Sequence, residues 1–342
     1  MKPQSIIVLT ILTFCGAVLR LYNLAFQCLW TEEAYTLMMA KMPTLSIITN
    51  FDFNPPLYYL AAHVAWLLTG DVYSIRYPAV ICGILLIPCM YWLGRVYKDE
   101  LTGLYCAAFT TILFPLIYYA QYGRAYEMSV LCFCVALILY IRIKRGESLE
   151  MWFAIIAALN IWVHFFAIIP IGLMIIDLLL DNIRNKKWLV GTVGISVLPF
   201  VGVFIEILKS RSTSVVSYGA SAVQMIVLTP LELFNTLFLN IIVMSGVGLW
   251  IGQDKLKSNL AGIAIITIVI GIICSMFTSF FPRYYMTVSL IFLLISSVAC
   301  VELTEKFGNW KWAAVTPNLS RTRKGGSATC SPEVRASRLS AF

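Results

Sequence analysis

Residues 77–119, YPAVICGILLIPCMYWLGRVYKDELTGLYCAAFTTILFPLIYY, hold two apolar runs, 77–97 and 101–119, parted by the short charged connection Lys98, Asp99 and Glu100. Each run comes close to the roughly 20 residues that an α-helix needs to cross hydrocarbon. Neither shows the alternation of a half-buried strand. Inside a bilayer no water bonds exposed backbone groups, so such runs must form helices whose hydrogen bonds close within the segment.

The pattern recurs outward in both directions. Of 342 residues, 60% are hydrophobic and 12% charged, and the mean hydropathy is +0.84, which is a polytopic membrane composition and not that of a soluble domain. The fold class expected is all-α, with spans near 5–22, 77–97, 101–119, 125–142, 149–163, 165–181, 188–208, 224–250, 259–280 and 284–301. The N-terminal run is too long for a signal peptide and lacks a small-residue cleavage site before NLAFQ, so it reads as a retained first span.

Charge sets the orientation. Basic clusters at Arg95 and Lys98, at Arg142, Lys144 and Arg145, at Arg184, Lys186 and Lys187, at Lys255 and Lys257, and at Lys306 and Lys311 belong inside by the positive-inside rule. With Lys2 also inside, parity gives about ten transmembrane helices. The net charge of +8 is thereby explained by orientation, and nucleic acid is not an expected partner. Counting PLYYLAAHVAWLLTG, residues 56–70, as a span would invert the strongest basic loops. It reads instead as an interfacial or re-entrant helix in the first outer loop, 23–75.

Eight of the ten cysteines lie within apolar runs and read as small buried hydrophobes. Cys28 stands in its loop without an obvious partner. Residues 313–342, rich in Ser and Arg and nearly free of apolar runs, read as a disordered tail of non-native character, distinct from a membrane domain over 1–312.

Nearly every unusual polar residue falls on the outer side of this topology. Glu32 and Glu33 follow Trp30 at the membrane boundary. They read either as helix-start acids that favour the macrodipole or as a catalytic pair. Adjacent side chains on a helix point about 100° apart, so at most one carboxylate can address a reacting atom. Arg20, Arg76, Arg124 and Arg283 are placed near the same face. One arginine there is usually a snorkelling anchor, but four outnumber that need, and the guanidinium fork suits a lipid phosphate. Asn54, Tyr58, Tyr59, His63, Gln121, Tyr122, Tyr126, His164, Tyr284 and Tyr285 supply rings and hydrogen-bonding groups able to hold a sugar, although Tyr belts are also ordinary at membrane interfaces. Two histidines on separate segments make a weak metal site with Glu32 or Glu33, so no cofactor is assigned and a divalent cation stays open.

The order LWTEEAY, NPPLYYLAAHVAWLLTG, IRYPAVICGILLIPCMYWLGR, YYAQYGRAYEMSVL, WVHFF and FPRYYM resembles successive motifs of the GT-C membrane glycosyltransferases. It is most similar to the prokaryotic family 39 group, related to protein O-mannosyltransferases and aminoarabinose transferases. The resemblance covers roughly residues 15–290.

It implies an enzyme of the cell membrane that takes a hexosyl or pentosyl group from a polyprenyl-phosphate donor and passes it, with inversion, to a lipid, glycan or protein acceptor on the extracytoplasmic face. Family members carry an Asp-Glu pair in the first outer loop; here the positions read Glu32 and Glu33, implied catalytic. Arg76, Arg124 and Arg283 would bind the donor phosphate, with Asn54, Tyr58, His63, Gln121, Tyr126, His164 and Tyr284 lining the substrate pocket. The alternatives are a transporter or flippase of lipid-linked sugar, and an inactive truncated homologue. A transporter would place charges near mid-membrane, yet Asp177 and Asp181 fall near the inner end of one expected span and Glu206 near the outer end of another, with Glu232 the exception.

Overall fold

The computed structural model describes residues 2–49, 54–181, 186, 189–198, 201, 245–249, 254–277 and 282–315. Among the described residues there are helices and turns and no strand. The chain divides into two compact units, Met1–Val301 and Glu302–Phe342. The described residues of the second, 302–315, are helical. Residues 316–342, and with them most of the expected tail, lie outside the described residues, as do Glu206 and Glu232.

The helices run in chain order as α1 (Pro3–Leu21), α2 (Thr31–Ala40), α3 (Thr44–Thr49), α4 (Leu57–Thr69), α5 (Tyr77–Tyr97), α6 (Glu100–Ile112), α7 (Phe114–Ala120), α8 (Tyr126–Lys144), α9 (Glu150–Val163) and α10 (Ile168–Leu180). They continue with α11 (Leu189–Leu198), α12 (Lys255–Phe277) and α13 (Met286–Val315). Among the described residues five helices are long and apolar enough to cross a membrane, and six if α6 and α7 form one broken span. The chain is a multi-pass membrane protein. Of the expected spans 188–208 and 224–250, only 189–198, 201 and 245–249 are described, and these are helical.

α5 is the hub, packed against α1, α6 and α8. Gly94 on α5 lets α6 approach so closely that an added Cβ would lie 2.8 Å from the Cα of Gly103. Small residues allow this close contact between helices in a membrane. Leu86, Met90, Phe133, Leu137 and Tyr140 fill the buried seam between α5 and α8.

The expected span 101–119 is corrected to two helices, α6 and α7, bent by 59° at Leu113. Pro115 supplies no N–H, and its ring would collide with the carbonyl four residues back, at Thr111, so α6 cannot continue. Carbonyls freed inside hydrocarbon need other donors. Arg20 provides them: Nη2 donates to the Thr110 carbonyl at 2.9 Å, while Nη1 donates to Thr111 at 3.5 Å and to Gly16 at 3.2 Å. Arg20 is fully buried. It is therefore not an outer-rim cation, as its position in the sequence suggested, but the plug of a broken helix.

Three helices, α2, α3 and α4, lie between α1 and α5, where amphipathic or re-entrant segments were expected. α4 buries Tyr58, Tyr59 and Ala62 and exposes Val64, Leu67 and Leu68. α8 has 19 residues, so its ends are roughly 28 Å apart at 1.5 Å per residue. Tyr126 begins it at the end that carries the acidic pair. At the far end Lys144 bridges Asp177 at 2.8 Å and Asp181 at 2.5 Å, and Asn259 of α12 donates to the other Asp177 oxygen at 3.0 Å. This network joins α8, α10 and α12 well away from the acidic pair.

Candidate active site

Glu32 and Glu33 stand in the first turn of α2. Glu33 reaches back to accept the Trp30 N–H at 3.2 Å, which fixes the start of the helix as a capping side chain does. The helical turn between neighbours then sends the two carboxylates to different places.

Glu33 points inward and is completely buried. Its Oε1 accepts from Arg76 Nε at 2.7 Å and from the Gly123 N–H at 2.7 Å, and its Oε2 accepts from Arg76 Nη2 at 2.7 Å. Gly123 is needed there, because a Cβ would lie 3.1 Å from Glu33 Oε1. The rest of the Arg76 fork donates to the carbonyls of Leu24 and Cys28. One buried ion pair thus ties together the loop after α1, the start of α2, the 3-10 turn Val72–Arg76 and the turn before α8.

Glu32 points the other way, with its side chain 35% exposed. Arg283 Nη2 contacts its Oε1 at 2.5 Å, Arg124 Nε lies 3.8 Å from Oε2, and the Tyr122 hydroxyl donates to Oε2 at 3.3 Å. Arg124 is itself held by three acceptors: the Glu32 carbonyl at 3.3 Å, Thr36 Oγ1 at 3.4 Å and the Tyr59 oxygen at 3.4 Å. Its position is set before any ligand arrives. Arg283 lies over the Tyr126 ring, 5.5 Å from the centroid, in cation–π range.

Beside these groups a small cleft is lined by Tyr126, Ser129, His164, Arg283, Tyr284 and Thr287, among others. Burial, with the Arg124 and Arg283 charges nearby, pushes the His164 imidazole down to about 3, so the ring is neutral and able to accept a hydrogen bond. Burial, then the Glu32 carboxylate, pushes the Tyr122 phenol above its usual range, which keeps it a donor. Among the described residues no three His, Cys, Asp or Glu side chains converge as a metal site would require.

The expected site residues divide in two. Arg283, Tyr126, His164 and Tyr284 line the cleft, and Glu32 and Arg124 join them through the Glu32–Arg283 and Glu32–Arg124 contacts. The others serve the scaffold. Arg76 and Glu33 are spent on each other. Gln121 Nε2 donates to the carbonyls of Leu19 at 3.1 Å, Arg20 at 3.2 Å and Tyr22 at 2.9 Å, closing the end of α1. His63 Nδ1 bonds the Ala40 carbonyl at 2.7 Å and its Nε2 meets Thr44 Oγ1 at 3.2 Å. The Tyr58 hydroxyl donates to the Ile75 carbonyl at 2.8 Å. Asn54 sits half-buried in the bend before α4.

Thr36, Ser129, Thr287 and Phe166 join the site without having been expected. Thr36 is four residues after Glu32 and Ser129 three after Tyr126, so helical spacing alone places each beside an expected residue.

No protein-family model and no curated protein sequence matches the chain. Solved structures do resemble it. ArnT from Cupriavidus metallidurans bound to undecaprenyl phosphate superposes with a TM-score of 0.57 at 13% identity, over 86% of this chain and 59% of that one. The same enzyme in the apo state gives 0.58 at 12% identity, over 90% and 60%. The apo oligosaccharyltransferase of Archaeoglobus fulgidus gives 0.54 at 13% identity, over 92% and 52%. The chain therefore spans 60% or less of the length of these structures. Its helical architecture is the GT-C fold that these membrane glycosyltransferases share.

Proposed function

We propose that the chain transfers a sugar from a polyprenyl-phosphate donor to an acceptor hydroxyl on the extracytoplasmic face of the cell membrane, with inversion. The observation that carries this reading is the division of labour within the acidic pair: Glu33 is sealed by Arg76, while Glu32 keeps a side chain 35% exposed and faces both Arg124 and Arg283. An ArnT structure of the same fold holds undecaprenyl phosphate, the class of donor proposed. The same reading takes residues 1–312 as the transferase domain, with the acidic pair in the loop 23–75.

In this mechanism the acceptor oxygen attacks the anomeric carbon while the bond from that carbon to the phosphate oxygen breaks. The phosphate leaves with the bonding pair, and the acceptor proton passes to Glu32. Negative charge grows on the phosphate as the bond lengthens, and prearranged guanidinium groups lower the barrier most when they are aimed at that growing charge. Arg124 and Arg283 fill this role, and Arg76 does not. Neutral His164 and Tyr284 line the cleft on the sugar's side.

Glu32→Gln in membranes supplied with a labelled polyprenyl-phosphate sugar tests the proposal. Loss of transfer with the protein still folded supports it. Full turnover removes Glu32 from the role of base, and movement of the lipid across the bilayer without transfer favours a flippase.

A further inference from the structure

Phe114, Tyr118, Tyr122 and Tyr126 recur every four residues across the break between α7 and α8. Their rings form a continuous stack, with centroids 5.9 Å apart for Phe114 and Tyr118, 6.4 Å for Tyr118 and Tyr122, and 6.3 Å for Tyr122 and Tyr126. The last two pairs are within 15° of parallel, so at such separations the rings are offset. Tyr126 then meets Tyr284 at 6.3 Å, and Tyr284 stacks on Phe166 at 4.4 Å, at the wall of the cleft.

Exposure falls steadily along this ladder: 55% at Phe114, 37% at Tyr118, 9% at Tyr122 and 5% at Tyr126. The exposed end, Phe114, lies next to the 59° bend between α6 and α7 at Leu113. The buried end carries the Tyr122 hydroxyl on Glu32 and the Arg283 guanidinium over Tyr126. Open aromatic surface on Phe114 and Tyr118 thus leads, ring by ring, to the residues that hold Glu32 and Arg283.

We infer that this aromatic ladder is the entry track for the isoprenoid chain of the donor, with its first units lying across Tyr118 and the remainder leaving past Phe114. The inference rests on the lipid-phosphate reading above and adds where the chain enters and what it packs on. An amphiphile with a charged head and a flat, methyl-branched, unsaturated tail matches both ends of the track at once. The head is drawn to Arg124 and Arg283, and the tail covers ring surface that would otherwise face disordered acyl chains.

The full-length protein in lipid nanodiscs, given polyprenyl phosphate bearing a photoreactive diazirine on the isoprenoid unit next to the phosphate, tests this without any sugar transfer. Crosslinks are expected within residues 114–126 and are competed by unlabelled polyprenyl phosphate. Tyr118→Ala is expected to reduce them roughly tenfold, as loss of one large aromatic contact does. Trp92→Ala, an exposed aromatic elsewhere on α5, is expected to leave them unchanged. Retained binding with crosslinks on another segment, or with yield indifferent to Tyr118→Ala, overturns the track alone. Absence of any binding of polyprenyl phosphate by native mass spectrometry overturns the lipid-phosphate reading, and the track with it.

Discussion

Glu33 and Arg76 face each other through two hydrogen bonds of 2.7 Å, with side-chain exposures of 0% and 4%. The paired geometry is the strong, fork-to-carboxylate kind, and the remaining donors and acceptors of both groups are also used. A buried pair of this sort does little net good relative to an apolar pair, but removing one partner strands the other charge. Glu33→Gln or Arg76→Met is therefore expected to destabilise the protein by about 3–5 kcal/mol. Thermal unfolding in detergent reads this out, with Glu32→Gln as the comparison that keeps its melting temperature. Equal melting temperatures for wild type and Glu33→Gln would contradict the structural role.

Arg20 offers a second test of scaffold against site. Replacing it with Met leaves the Thr110 and Thr111 carbonyls at the α6–α7 break without their donor, at a cost of about 1–3 kcal/mol per stranded group. If Arg20 belonged to the phosphate site, the variant would keep its stability and lose donor affinity. The break predicts the reverse: reduced stability, with affinity changed little among molecules that remain folded.

These two arginines mark where sequence reading stopped. The apolar runs, the helices of the first outer loop and the acidic pair were all legible, because length, hydropathy and charge at a membrane boundary carry that information directly. The fate of each cation was not. Four arginines sat near one boundary, and only Arg124 and Arg283 face Glu32, because where a guanidinium is held depends on which carbonyls and carboxylates surround it in three dimensions. Pro115 was the missed signal for Arg20, since a proline inside an apolar run frees carbonyls that some donor must meet. The 100° offset between neighbouring helical side chains predicted that Glu32 and Glu33 would part company, but not which would stay exposed.

Tyr122 anchors the exposed carboxylate. Its hydroxyl is one of three groups that address Glu32, and it alone is uncharged. Tyr122→Phe keeps the ring and its place in the aromatic stack while removing one hydrogen bond to a charged group. Such a bond contributes about 1.5–3 kcal/mol, so kcat is expected to fall on the order of ten- to a hundredfold, with donor KM nearly unchanged. A rise in KM at constant kcat would assign Tyr122 to donor binding and not to the orientation of Glu32.

His164 makes stability depend on pH in a defined direction. In the folded protein its imidazole is pushed down to about 3 by burial and by the Arg124 and Arg283 charges, whereas an unfolded histidine titrates near pH 6.5. Above pH 6.5 both states hold the neutral ring and its contribution is fully present. As pH falls from about 6.5 toward 3 the unfolded state takes up a proton that the folded state refuses, so stability declines by up to about 1.4 kcal/mol per pH unit. The melting temperature of wild type in detergent is thus expected to drop between pH 6.5 and 4.5 more steeply than that of His164→Gln, which has no ring to protonate. Parallel curves for the two proteins would mean that His164 is hydrated and titrates normally. The cleft would then be wetter than the packing of Tyr126, Phe166 and Tyr284 around the imidazole implies.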